Sequence, residues 1–95
     1  LMPINSFEVT LSDTTPELIV SSDNMNQDIV LHNMSKSSNN YIFIAGSSDE
    51  ADTTNNIHID PGETINFTMR PNDELWGLSD PSGLNVGVLR IRLAD

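Results

Sequence analysis

Short runs in which apolar and polar residues alternate dominate the chain, and no segment sustains the 3.6-residue apolar spacing of a helix over three turns. Glu8 to Leu11 and Glu17 to Ser21 predict two opening strands, parted by Ser12-Asp13-Thr14-Thr15-Pro16, a turn cluster whose proline blocks helix continuation. After the polar loop Ser21 to Asn26, Asp28-Ile29-Val30-Leu31-His32-Asn33 is apolar enough to be a central strand with both faces partly covered. A second polar loop, Ser35 to Asn40, leads into Tyr41-Ile42-Phe43-Ile44, four large β-formers ended by Ala45-Gly46.

Ser47 to Asn56 then turns acidic and polar and predicts an exposed loop before the short strand Ile57-His58-Ile59. Asp60-Pro61-Gly62-Glu63 predicts a type II turn, since proline presets φ at its first central position and glycine permits a positive φ at the second. Thr64 to Met69 sets Ile65, Phe67 and Met69 against Thr64, Asn66 and Thr68, a strand with one face on a core, and Ile65 and Phe67 are assigned to that core. Arg70-Pro71-Asn72-Asp73 turns into Glu74-Leu75-Trp76-Gly77-Leu78, and Ser79-Asp80-Pro81-Ser82-Gly83 turns again into the last run. There Leu84, Val86 and Val88 share one phase while Leu89, Ile91 and Leu93 share the other. The switch after Gly87 predicts a β-bulge or a strand crossing between sheet edges. Seven or eight short strands at this spacing predict an all-β fold, an antiparallel β-sandwich of jelly-roll type. Residues 1–95 are expected to form this single domain, with 1–6 as an extended N-terminal arm.

A chain of 95 residues buries roughly 60–65% of its unfolded surface, enough to fold without a staple. It contains no cysteine, which excludes disulfides, thiolate zinc sites and a cysteine nucleophile together. Four basic against fourteen acidic residues give a formal charge of −10, which repels phosphate backbones, so no nucleic-acid partner is expected. These residues include neither an 18-residue apolar run nor a charged segment leading into a short apolar one. Neither a transmembrane helix nor a secretory signal is therefore expected among them.

Candidate chemistry is sparse. His32 and His58 each sit in a strand pattern beside isoleucine or leucine, where a hydrogen-bonded strand residue is the plainer reading than a metal ligand. Asp49, Glu50 and Asp52 offer hard oxygen ligands for calcium but lack EF-hand spacing, which favours a solvated loop. Asp73 and Glu74 are adjacent, so their side chains diverge instead of flanking one scissile bond, and no nucleophile elbow or phosphate-cradling glycine loop occurs. Asn33-Met34-Ser35 and Asn66-Phe67-Thr68 match the glycosylation acceptor pattern, which chance explains without a secretory context. Arg90 and Arg92, half of the cations, share one phase of the last strand and suit either an acidic partner or the chain's own acids. Trp76 suits an interface anchor or plain burial beside Leu75 and Leu78. No catalytic, metal or cofactor residue is assigned, and no enzyme activity is expected.

The succession Ile29-Val30-Leu31-His32-Asn33, Tyr41-Ile42-Phe43-Ile44-Ala45-Gly46, Ile59-Asp60-Pro61-Gly62-Glu63, Glu74-Leu75-Trp76-Gly77-Leu78 and a closing strand Val86 to Leu93 resembles small tailed-bacteriophage virion proteins. The resemblance spans Glu17 to Leu93 and departs in Trp76, where tyrosine is commoner, and in the long acidic loop. It implies a head decoration (cement) protein or short head-fibre domain, a jelly-roll-like sandwich, often a homotrimer, seated on the major capsid protein lattice at the virion exterior. A protein that binds only the assembled shell raises the shell's stability by its own binding free energy. In a trimer, Trp76 or the apolar face of the last strand is expected between subunits. The alternative is a carbohydrate- or receptor-binding module of a fibre, for which five aromatic residues, most in core-like positions, are a thin supply. An enzyme subunit or inhibitor is a third class, with no residues to assign to it.

Overall fold

The computed structural model describes residues 4–52 and 57–93. Eight strands follow one another: β1 (Ile4–Thr10), β2 (Glu17–Val20), β3 (Asn26–Asn33), β4 (Tyr41–Ala45), β5 (His58–Ile59), β6 (Thr64–Met69), β7 (Leu75–Asp80) and β8 (Asn85–Leu93). They make two four-stranded sheets in the orders β1-β8-β3-β6 and β2-β7-β4-β5, with every neighbouring pair antiparallel. All consecutive strands except β4 and β5 lie in different sheets, which is jelly-roll connectivity. The all-β sandwich predicted from alternation is the fold of the chain.

Between the sheets, Ile29 and Leu31 of β3 and Val86 and Val88 of β8 join Ile42, Ile59, Val20 and Leu75 in one buried cluster. Each such side chain contributes about 1.5–3 kcal/mol by leaving water. β3 lies between β8 and β6, the central position its apolar sequence predicts. Of the two residues assigned to the core on β6, Ile65 and Phe67 are half-buried and pack against the cluster, while Met69 is buried in it.

A buried asparagine ties the two sheets together. The Asn33 side-chain amide donates to the carbonyls of Asn40 and Ile59, both at 2.9 Å, and its carbonyl oxygen accepts from the Ser35 N–H at 3.0 Å. Buried polar groups persist when their partners are present, and here three are. The Asp60–Glu63 turn closes with the Glu63 N–H donating to the Asp60 carbonyl at 2.9 Å and Gly62 at φ 76°, the geometry expected of type II. Asn72, at φ 72°, plays the same part in the Arg70–Asp73 turn.

Three expectations about boundaries and register need correction. β8 carries no bulge: its pairing runs without a break from Ile4↔Ile91 to Thr10↔Asn85 on one side and from Asn26↔Leu93 to Asn33↔Val86 on the other. The strand stays straight because Arg90 and Arg92, not leucines, continue the inward phase of Val86 and Val88, and Leu89, Ile91 and Leu93 turn outward. The register shift of the sandwich lies instead in β2, between Leu18 and Val20. Ile4, Asn5 and Ser6, assigned to an extended arm, form the first half of β1 through pairing with β8, and residues 1–3 lie outside the described ones. Ser79 and Asp80, read as turn, belong to β7. Ser79 is fully buried because its hydroxyl lies 2.8 Å from the Pro81 carbonyl oxygen and its N–H donates to the Ser12 carbonyl at 2.9 Å.

Candidate functional site

The outer face of the β1-β8-β3-β6 sheet carries the feature least like an ordinary solvated surface. Directly opposed residues of an antiparallel pair share a face, so Leu89 stands outward with Ser6 and Val30, Ile91 with Ile4 and Asp28, and Leu93 with Asn26. Ile4 is 53% exposed, Leu93 37% and Met34 42%, while Val30, Leu89 and Ile91 are half-buried by one another. Beside this strip Gly87 lacks a side chain and floors a shallow depression of about 390 Å³ walled by Ser6, Glu8, Val30, His32, Met34 and Leu89. A contiguous apolar strip framed by polar residues is a surface that a partner can cover. The charged members of this outer face are Glu8 and Asp28, and Asp28 accepts a hydrogen bond from Thr68 Oγ1 at 2.7 Å.

The inward phase of β8 ends in charge. Arg92 Nε lies 2.8 Å from Asp23 Oδ2, and Arg90 donates through Nη2 to Asn5 Oδ1 at 3.0 Å. The Arg92 Nε–H is not aimed along that contact, and the Nε atoms of both arginines and Oε1 of the fully buried Gln27 are buried without a hydrogen-bond partner. Burial pushes the Asp23 carboxyl up, but the Asn24 N–H, Arg92 and Arg90 outweigh it and hold the group below its ordinary value. The two arginines are thus held chiefly by the chain's own Asp23 and Asn5, not by an acid on a neighbouring strand.

The outer face of the β2-β7-β4-β5 sheet gathers aromatic rings. Phe43 lies opposite Leu78 and His58, Trp76 opposite Leu18 and Ala45, and Tyr41 opposite Asp80. The His58 ring meets Tyr41 edge-on with centroids 5.0 Å apart and Phe43 at 6.0 Å, and its Nε2 is 2.9 Å from Asp60 Oδ1. Trp76 is half-buried, with its indole N–H donating to Glu74 Oε1 at 3.1 Å. Tyr41 and Trp76 are half-buried on this outer face and Phe43 is buried on it, while Phe67 packs against the core, so the core-like expectation for the aromatic residues holds for Phe43 and Phe67 and not for Tyr41 and Trp76. Period-two alternation shows which residues share a face of a strand but not which face is the core.

The remaining candidates are scattered. His32 stands on the outer face of the first sheet, with Nδ1 2.9 Å from Thr64 Oγ1, and His58 on the outer face of the second, so the two histidines cannot share an ion. Asp49, Glu50 and Asp52 are exposed, with Glu50 Oε1 accepting from the Ser47 hydroxyl at 3.3 Å. The rest of their loop, residues 53–56, lies outside the described residues. Asp73 bonds the Arg70 N–H and Glu74 the Trp76 indole, so these carboxylates diverge. Asn33 is fully buried and closed to glycosylation in the folded chain, whereas Asn66 is exposed. Among the described residues no three His, Cys, Asp or Glu side chains gather as a metal site.

No protein-family model and no curated protein sequence matches this chain. Solved structures share the fold at low identity. A chain of the Nora virus structure superposes with a TM-score of 0.60 at 11% identity, over 97% of this chain and 58% of that one. A protein of Bacillus endospore appendages, described as a novel family of disulfide-linked pili, does so at 0.57 and 14%, over 96% of this chain and 86% of that one. Hydroxypropylphosphonic acid epoxidase from S. wedmorenis matches at 0.57 and 6%, where this chain spans 42% of the enzyme. One architecture thus serves structural and enzymatic proteins, and function has to be argued from the surfaces.

Proposed function

We propose that the chain is a structural protein of a phage virion, without enzymatic activity, which seats on the assembled capsid through the outer face of the β1-β8-β3-β6 sheet. The observation that carries this reading is the inversion of β8, where Arg90 and Arg92 turn into the sandwich and Leu89, Ile91 and Leu93 turn out. A strand that serves only its own core has the opposite arrangement. Exposed apolar residues there cost solubility in a free monomer and are recovered when a partner covers them. The sequence resemblance to phage virion proteins and the fold shared with the Nora virus chain support the virion setting. The charge of −10 keeps copies on a crowded shell apart while the sheet faces are being seated.

Decoration stabilises by mass action, because a ligand of the assembled state alone shifts disassembly by its binding free energy. Particles produced without this chain are expected to lose heat or low-salt resistance and to regain it when purified protein is added back. Unchanged resistance, with no protein bound, would sink the proposal. The half-buried Tyr41 and Trp76 on the outer face of the β2-β7-β4-β5 sheet support a second reading, a glycan- or receptor-binding face, since sugars stack on accessible rings. A glycan-array signal that Trp76→Ala abolishes would favour it.

A further inference from the structure

Four strands end the two sheets, and three carry a device that discourages pairing with another chain. β5 is two residues long, β2 is interrupted by its register shift and starts at Glu17, and β1 carries Glu8. Shortness, irregularity and charge are the usual protections of a sheet edge. β6, Thr-Ile-Asn-Phe-Thr-Met, has none of them: six residues without charge, proline or irregular register, in a chain with eighteen charged residues.

The free side of β6 is also set for pairing. The Asn33 N–H donates to the Glu63 carbonyl at 3.0 Å, directly across the start of the β3–β6 ladder. Antiparallel bonding alternates residue by residue, so Ile65, Phe67 and Met69 bond β3 while the N–H and C=O groups of Thr64, Asn66 and Thr68 point away from the sheet. Ile65 and Phe67 face the core but stay half-buried, because among the described residues no strand lies beyond them in the sheet.

We infer that β6 pairs antiparallel with β6 of a second copy, joining two four-stranded sheets into one of eight strands. Centred on Asn66, this register sets Thr64 against the second copy's Thr68, Asn66 against its counterpart, and Ile65 against the second copy's Phe67. From Thr64 to Thr68 every opposed pair is then polar with polar on the outer face and apolar with apolar on the inner one, and Met69, at the end of the strand, falls opposite the second copy's Glu63. No like charges meet across the twofold axis, although each copy carries −10. The contact is small beside the ~800 Å² per partner of a stable interface, so the dimer depends on concentration and strengthens with salt as the net charges are screened. Twofold pairing gives even-numbered assemblies, unlike the threefold association that the sequence resemblance implies, and its test does not involve the capsid.

Proline separates this pairing from the fold itself. Asn66→Pro removes an N–H that none of the described strands uses, in an edge position that accepts proline, whereas Phe67→Pro removes a β3–β6 bond. Sedimentation of the full chain across the micromolar to millimolar range should show mass rising from 10.5 kDa toward twice that value, more readily at high salt. Asn66→Pro should keep the wild-type circular dichroism and melting temperature while its dimer dissociation constant rises at least about tenfold. Phe67→Pro should melt lower. If Asn66→Pro does not fold, Asn66→Lys serves, placing like charges opposite each other on the outer face while leaving the β3 ladder intact. A wild-type chain that stays monomeric throughout, one that assembles only in threes, or a folded position-66 variant that dimerises as well as wild type would overturn the inference.

Discussion

Asn33 joins the end of β3 to the Ile59 and Asn40 carbonyls, so one buried amide holds positions in both sheets and the β3–β4 loop. Asn33→Ala leaves those carbonyls and the Ser35 N–H without their partner, and the cost of stranding buried polar groups exceeds the worth of the bonds when made. A loss of about 2–3 kcal/mol is expected, read as a lower urea midpoint at unchanged slope. A loss under about 0.5 kcal/mol would show that the loop re-satisfies itself. Asp23 tests the inward charges. Its pKa is lowered from 3.8 in the folded chain, so the unfolded state binds the proton first as pH falls. The stabilisation is therefore complete above about pH 4 and disappears as pH drops through the lower folded value. Asp23→Asn should be less stable at neutral pH and flatter in its acid stability curve, measured by thermal unfolding from neutral pH downward. A wild-type acid slope in the variant would count against the ion pair with Arg92. Neither role could be read from the sequence, because Asn33 looks like a strand end and Asp23 like a loop acid.

Elements are more legible in the sequence than faces. The strong alternation of β6, the large β-formers of β4 and the proline-glycine turn at Asp60–Glu63 are local signals, and all appear where local chemistry puts them. The bulge expected in β8 follows only if apolar phase is inward phase, a rule that fails when a strand's outer face is apolar and its inner face ends in arginines held by Asp23 and Asn5. The outer position of Tyr41 and Phe43 is hidden from alternation for a related reason. Tyr41 and Phe43 alternate with Ile42 and Ile44, and both sets are apolar, so periodicity cannot say which set meets the other sheet. Gly77 shows what the inner face demands. A Cβ there would lie 2.9 Å from the Phe43 carbonyl oxygen and 2.6 Å from Ile19 Cδ1, and the backbone atom cannot swing aside as a side chain can. Gly77→Ala is expected to destabilise by about 1–3 kcal/mol through overpacking, checked by chemical denaturation. An unchanged midpoint would mean that β4 and β7 separate more readily than their pairing suggests.

At the scale of the molecule, the jelly roll supplies two outer faces and one unguarded edge, and each suits a different encounter. In the proposed reading the inverted β8 face meets a shell, in the second reading the face of Tyr41 and Trp76 meets a ligand with stacking surfaces, and by the further inference β6 meets another copy. Sequence alternation predicts the sandwich but not these assignments, since they arise from strand order and from which side of each sheet is closed. The central claim is that the β1-β8-β3-β6 outer face seats the chain on assembled capsid shells. Co-sedimentation with shells assembled without this protein tests it directly, comparing wild type with Leu89→Asp, a change flanked by Ser6 and Val30 on the face of the sheet opposite the buried cluster. Saturable binding by wild type is predicted, with an affinity loss of at least about tenfold for a Leu89→Asp chain of unchanged circular dichroism. Absence of wild-type binding, or equal binding by the folded variant, would contradict the account.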